Sequence, residues 1–178
     1  MKLRIRGWHG LATVVSALAV TLAVLVGSGA SASAATSKAA LEAPELVGIT
    51  MGSGPLRLDA YDYAGMDYLV VLRPIQNNNT QRWMLVNVGV GKYRIYQLST
   101  GQYLDAYDYP QAGWRAVTRP YQNNNTQVWQ LVPYGGGFYS FIQVSTGRYL
   151  QGSFVGDMQV TTQEWNGSNE QVWRLVDA

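Results

Sequence analysis

Gln76-Asn77-Asn78-Asn79-Thr80-Gln81-Arg82-Trp83 returns 46 residues later as Gln122-Asn123-Asn124-Asn125-Thr126-Gln127-Val128-Trp129. Upstream of each, Leu58-Asp59-Ala60-Tyr61-Asp62-Tyr63 returns as Leu104-Asp105-Ala106-Tyr107-Asp108-Tyr109 at the same offset. Laid out without a gap, Leu56–Asn87 and Gln102–Pro133 agree at 18 of 32 positions. A looser third copy follows: Ser145-Thr146-Gly147-x-Tyr149-Leu150 echoes Ser99-Thr100-Gly101-x-Tyr103-Leu104, and Gln171-Val172-Trp173 supplies a third Gln-x-Trp. Repeats of this length mean that one supersecondary unit is copied and that the copies share a core. Three are too few for a solenoid with capping ends, so closure into a ring is the economical arrangement.

Each copy reads as four short strands divided by turn chemistry. In the middle copy the expected strands are Tyr93–Leu98, Gln102–Ala106, Trp114–Arg119 and Val128–Val132. β-Branched and aromatic runs of strand length, punctuated by Gly, Pro and Asn, favour strands over helices. No stretch after residue 34 sustains a 3.6-residue period. Three copies of four strands predict a twelve-stranded, all-β domain. A closed barrel capped by hairpins leaves few free edges, which suits a chain with no cysteine.

The N-terminus reads as a targeting segment. Lys2, Arg4 and Arg6 precede an apolar run, Leu11–Val26, and small residues end in Ala32-Ser33-Ala34. Residues 1–34 are therefore expected to be a signal peptide cleaved after Ala34, with 35–45 a linker and 46–178 a secreted, extracellular domain that is not inserted in a membrane. Cleavage removes three of the thirteen basic residues, leaving ten against eleven acidic ones, a net charge of −1. It also removes His9, the only histidine. Without His or Cys there is no Ser-His-Asp triad, no Cys-His pair and no usual zinc site. A near-neutral domain with no Lys/Arg run does not point to nucleic acid. No cofactor is expected.

Three units of about 45 residues, each ending in Gln-x-Trp (Gln81-x-Trp83, Gln127-x-Trp129, Gln171-x-Trp173), with Leu-Asp ahead of the first two, resemble the ricin-type β-trefoil lectin family. The resemblance implies a β-trefoil with pseudo-threefold symmetry and glycans or polysaccharides as partners. It also implies that Asp59 and Asp105 are the main acceptors for sugar hydroxyls. The same acids read alone are either that or turn-capping residues. A carboxylate beside a buried Leu needs donors to offset its desolvation. The third copy has Gln151 at this place, so its site reads as lost.

A sugar ring also needs an apolar surface under its C–H face. Tyr68 and Trp114 share one repeat position, nine residues after the Asp, where the third copy has Met158. They are the expected platforms, with Tyr61, Tyr63, Tyr107 and Tyr109 as alternatives. Arg73 and Arg119 stand where the family usually places its ring, and are assigned with Asn78, Asn124, Gln81 and Gln127 to the polar shell. The Trp of each Gln-x-Trp is read as core, and the Gln as a support bonded to the backbone of the preceding loop. Asp59/Asp62 and Asp105/Asp108 also invite a glycosidase reading, but spacing within one loop does not build a cleft. The reading is thus a non-catalytic lectin with two sites. Its rival is a β-trefoil protease inhibitor, which needs one protruding loop unlike its counterparts, whereas the long loops here are duplicated.

Overall fold

The computed structural model describes residues 45–52 and 54–178. The proposed signal peptide, and the linker up to residue 44, lie outside them. Twelve strands run in chain order: β1 Glu45–Met51, β2 Leu56–Ala60, β3 Val70–Pro74, β4 Trp83–Gly89, β5 Lys92–Gln97, β6 Tyr103–Ala106, β7 Ala116–Arg119, β8 Trp129–Gly135, β9 Phe138–Gln143, β10 Tyr149–Gln151, β11 Thr161–Gln163 and β12 Trp173–Asp177. Glu45 pairs with Leu85, so the first strand starts one residue before the expected domain boundary.

All pairings are antiparallel, and six strands form a ring. β1 pairs with β4, β4 with β5, β5 with β8, β8 with β9, β9 with β12, and β12 with β1. The ring closes, which removes the free edges that a cysteine-free sheet would otherwise expose. The other six strands form three hairpins, β2–β3, β6–β7 and β10–β11. This is a β-trefoil: a six-stranded barrel closed at one end by three hairpins.

Alternation along the barrel strands builds the core. In β5, Tyr93, Ile95 and Gln97 are buried while Arg94 and Tyr96 are only half-buried, as a period of two requires. Trp83, Trp129 and Trp173 begin β4, β8 and β12 and are fully buried. Their indole N–H groups donate to the carbonyls of Leu58, Leu104 and Leu150 at 3.0, 2.9 and 2.9 Å. Each tryptophan thereby fills the barrel and ties it to a cap hairpin. Truncating such a side chain costs about 3–5 kcal/mol.

The hairpins meet in a triangle. Isolated bridges join Leu69 to Val117, Arg115 to Thr161, and Val71 to Gln159, linking each hairpin to the next around the axis. The amides of Thr118, Thr162 and Leu72 donate to the carbonyls of Tyr68, Trp114 and Met158. All three acceptors are non-glycine residues at positive φ, between 51° and 56°. A left-handed residue there turns the chain into the triangle, at a strain of about 1–3 kcal/mol that the cap must offset.

Candidate functional site

Asp105 sits near the end of β6 and Arg119 at the end of the partner strand β7. Asn125–Gln127 makes a single 3-10 turn just before Trp129. Its Gln127 is the clasp of the preceding loop. The side-chain carbonyl accepts from the Gln122 amide at 2.7 Å, and the side-chain amide donates to the Pro120 carbonyl at 2.9 Å. Gln81 does the same with Gln76 and Pro74, and Gln171 with Asn166 and Glu164. Each Gln-x-Trp therefore fixes a loop with its Gln, which ends a 3-10 turn rather than lying in a strand, and the core with its Trp, which begins the strand that follows.

The fixed loop walls a cup. Asp105, Tyr107, Asp108, Arg119, Gln122, Asn124 and Thr126 line an open, mostly polar cavity of about 470 Å³. Asp105 is only 4% exposed and forms its floor. Burial pushes its carboxyl above the ordinary aspartate range, against hydrogen bonds from Thr126, the Ala106 amide and Gln127 and the charge of Arg119. The Arg119 guanidinium lies over the Tyr107 ring at 4.7 Å, with Arg115 at 5.7 Å from the same ring. Tyr107 in turn donates its hydroxyl to Asp67 of the first repeat. Asn124 donates to Gln122 and accepts from Thr126, so the loop's polar tips hold one another in place.

The first repeat has the same parts more tightly closed. Gln81 donates to Asp59 at 3.1 Å, Arg73 stands 3.6 Å from the same carboxylate oxygen, and Asp59 is fully buried. Arg73 lies over the Tyr61 ring at 4.3 Å. Asn78 repeats the contacts of Asn124, bonding Gln76 and Thr80. The other oxygen of Asp59 is buried without a hydrogen-bond partner among the described residues. In the third repeat Gln151 accepts from Asn166 and no carboxylate occupies the place.

One expected site residue falls elsewhere. Trp114 does not line the cup around Asp105, and both Trp114 and Tyr68, the residue expected beside Asp59, are left-handed residues of the cap triangle. Trp114 is half-buried beneath the Arg148 guanidinium of the third repeat, 4.1 Å from its ring. The nine-residue spacing from the Asp reflects the hairpin turn, and the turn aims the ring across the repeat boundary. The aromatic element of the cup is Tyr107, capped by Arg119. Gln122 and Thr126 are cup residues that the sequence reading did not single out. Both belong to the duplicated Gln-Asn-Asn-Asn-Thr-Gln string, which carries their signal beside that of the asparagines.

Gln97 and Gln143 form a further clasp. Both are fully buried, and donate to the carbonyls of Ala60 and Thr80, and of Ala106 and Thr126. They pin the residue after each site Asp to the loop that carries the site's Thr. The third member of this set is Met51, beside Gly152.

With this geometry in view, residues 79–157 match the family described as ricin-type beta-trefoil lectin domain-like. The match spans 79 of the 178 residues, and over that stretch the chain is similar to this family. No curated protein matches the chain. Among solved structures, the chain is similar to the designed threefold-symmetric protein ThreeFoil, with a TM-score of 0.67 and 24% identity over 75% of this chain and 99% of that one. It is also similar to the lectin of Polyporus squamosus, solved with a Neu5Aca2-6Galb1-4GlcNAc epitope, at a TM-score of 0.63 and 15% identity over 73% of this chain. A third likeness is to an exo-beta-1,3-galactanase from Clostridium thermocellum, at a TM-score of 0.67 and 20% identity over 75% of this chain. This trefoil spans only 48% of the Polyporus lectin and 30% of the galactanase. At these identities the likeness is one of fold.

Proposed function

We propose that the protein is a secreted, non-catalytic carbohydrate-binding protein that takes a sugar in the Asp105 cup, with a second, tighter site at Asp59. The observation that carries this is a buried carboxylate at the floor of an open polar cavity. The hydrogen bonds from Thr126, the Ala106 amide and Gln127 do not offset the burial of this group, and vicinal sugar hydroxyls entering the cup are further donors to it. Asp105 accepts those hydroxyls, and Asn124, Gln122 and Thr126 complete the polar wall. Tyr107, held by Arg119 and Asp67, gives the cup its aromatic side. The ricin-type, lectin-like family match and the lectin among the similar structures support carbohydrate as the ligand class.

Single open sites of this kind bind at about the millimolar level, roughly −4 kcal/mol. Two sites on one rigid domain gain orders of magnitude on a surface that repeats the same glycan. Secretion through the N-terminal segment would place the domain among such surfaces. A glycan array probed with the purified protein tests the reading, with an assay for released reducing ends beside it. Selective binding with no hydrolysis supports it; inhibition of a protease with no glycan bound favours the rival, and turnover of a glycan contradicts the non-catalytic role.

A further inference from the structure

The third repeat, which lacks the site carboxylate, carries instead a cluster of exposed aromatic rings. Trp165 is 43% exposed and Tyr134 53% exposed, and Tyr149 of β10 is half-buried beside them. The Trp165 ring lies 4.9 Å from Tyr149 and 5.9 Å from Tyr134, tilted by 45° and 57°. The corresponding rings of the second repeat, Tyr103 and Tyr121, are 5.5 Å apart, but there the Arg94 guanidinium lies over Tyr121 at 5.1 Å. Register shows why the third repeat differs. Arg94 pairs with Val86 and its counterpart, paired with Val132, is Ser140, which is buried. No cation covers Trp165 among the described residues, and its indole N–H has no hydrogen-bond partner there.

The surroundings are polar without a net charge. Arg148 and Glu164 form an ion pair at 2.7 Å, and Asn166, next to Trp165, donates to Gln151. An uncovered aromatic surface rimmed by amides and hydroxyls, with its nearest charges paired, suits a neutral ligand that presents C–H faces and hydroxyl edges. We propose that Trp165, Tyr149 and Tyr134 form a second kind of saccharide site, for a neutral β-linked chain of pyranoses with equatorial substituents. Such rings expose flat C–H faces to stacking. Trp165 stands between the other two rings, at 4.9 Å from one and 5.9 Å from the other, so the cluster offers aromatic surface to more than one sugar unit. The site is independent of the Asp105 cup, and the carbohydrate-binding reading contributes only the choice of ligand class.

The test is a titration of the ¹⁵N-labelled protein with cellohexaose and, separately, chitohexaose, following the tryptophan indole N–H signals. The Trp165 signal is expected to move progressively while that of buried Trp129 stays fixed. Trp165→Ala and Tyr149→Ala should each weaken binding by about tenfold or more, and Val90→Ala, at an exposed residue between β4 and β5, should bind the hexamers as the parent does. The proposal is overturned if neither hexamer moves the Trp165 signal at about ten millimolar, a concentration that would reveal even weak sites. It is equally overturned if Asp105→Asn abolishes the response and Trp165→Ala does not. A Trp165 response in a protein whose Asp105 cup binds nothing would sustain this site and refute the cup.

Discussion

The indole N–H of Trp129 donates to the carbonyl of Leu104, the residue immediately before Asp105. The group that fills the barrel thus also fixes the strand that presents the site carboxylate. The same link joins Trp83 to Leu58, ahead of Asp59, and Trp173 to Leu150, ahead of Gln151. Core and site are coupled through one hydrogen bond per repeat.

Trp129→Phe keeps most of the buried ring but removes this bond. It leaves the Leu104 carbonyl short of a donor, at a cost of about 1–3 kcal/mol. Trp129→Ala should cost about 3–5 kcal/mol through the cavity it opens. Urea unfolding measures both, and a Trp129→Ala protein as stable as its parent would contradict the placement of this ring in the core.

Asp105 predicts opposite effects on binding and stability. Its carboxyl titrates above the ordinary aspartate range because it is buried, so the folded state holds the proton more tightly than the unfolded chain. The ionised form therefore weakens the fold at neutral pH, and that penalty is relieved as pH falls through the raised pKa. Sugar hydroxyls need the ionised acceptor, so affinity should fall over the same interval, which begins at a higher pH than for a free aspartate. Calorimetry across the acid range checks this, with Asp105→Asn expected to show weak binding and no such pH step.

Trp114→Ala is expected to leave the Asp105 cup intact. The ring stacks against Arg148 and lies outside the cavity, so sugar affinity should change by less than about twofold. Stability should fall by about 0.5–1 kcal/mol, the worth of a partly exposed cation–π contact. Parallel titration and thermal melts of this variant decide the point; loss of cup binding would restore Trp114 as the sugar platform.

Gly152 stands where the other repeats have Ala60 and Ala106, and Met51 stands where they have Gln97 and Gln143. A Cβ on Gly152 would come 2.3 Å from the Met51 sulfur and 2.7 Å from a Leu72 methyl, both in the core. Gly152→Ala should therefore destabilise by about 1–3 kcal/mol through overpacking. Pairing it with Met51→Gln, which restores the residues of the other repeats, would show in a double-mutant cycle whether the two positions are coupled.

The fold was legible because the repeat was. Eighteen identities at one offset mark a copied unit, and Trp83, Trp129 and Trp173 mark where each copy meets the core. The Gln of each motif was legible for the same reason, since a buried amide must find backbone partners. The site was legible only in part. Asp59 and Asp105 stand out as acids after a core Leu, but the direction of a side chain at a turn depends on backbone handedness. Trp114 follows Gly113, and both are left-handed, which sends the ring across the repeat boundary. Thr126 was obscured because a threonine in a polar loop reads as turn chemistry until the loop's curvature places it over Asp105. The inequality of Arg73 and Arg119 was also hidden, since the two lie in nearly identical strings.

The central claim is that the Asp105 carboxylate holds the sugar. Isothermal titration of Asp105→Asn against the saccharide that the array selects tests it most directly, because the substitution keeps the shape and removes only the charged acceptor. A charge-assisted hydrogen bond contributes about 1.5–3 kcal/mol, so affinity at neutral pH should fall by roughly ten- to a hundredfold. Thermal stability should be unchanged or slightly higher. An Asp105→Asn protein that binds the saccharide as tightly as its parent would contradict the account.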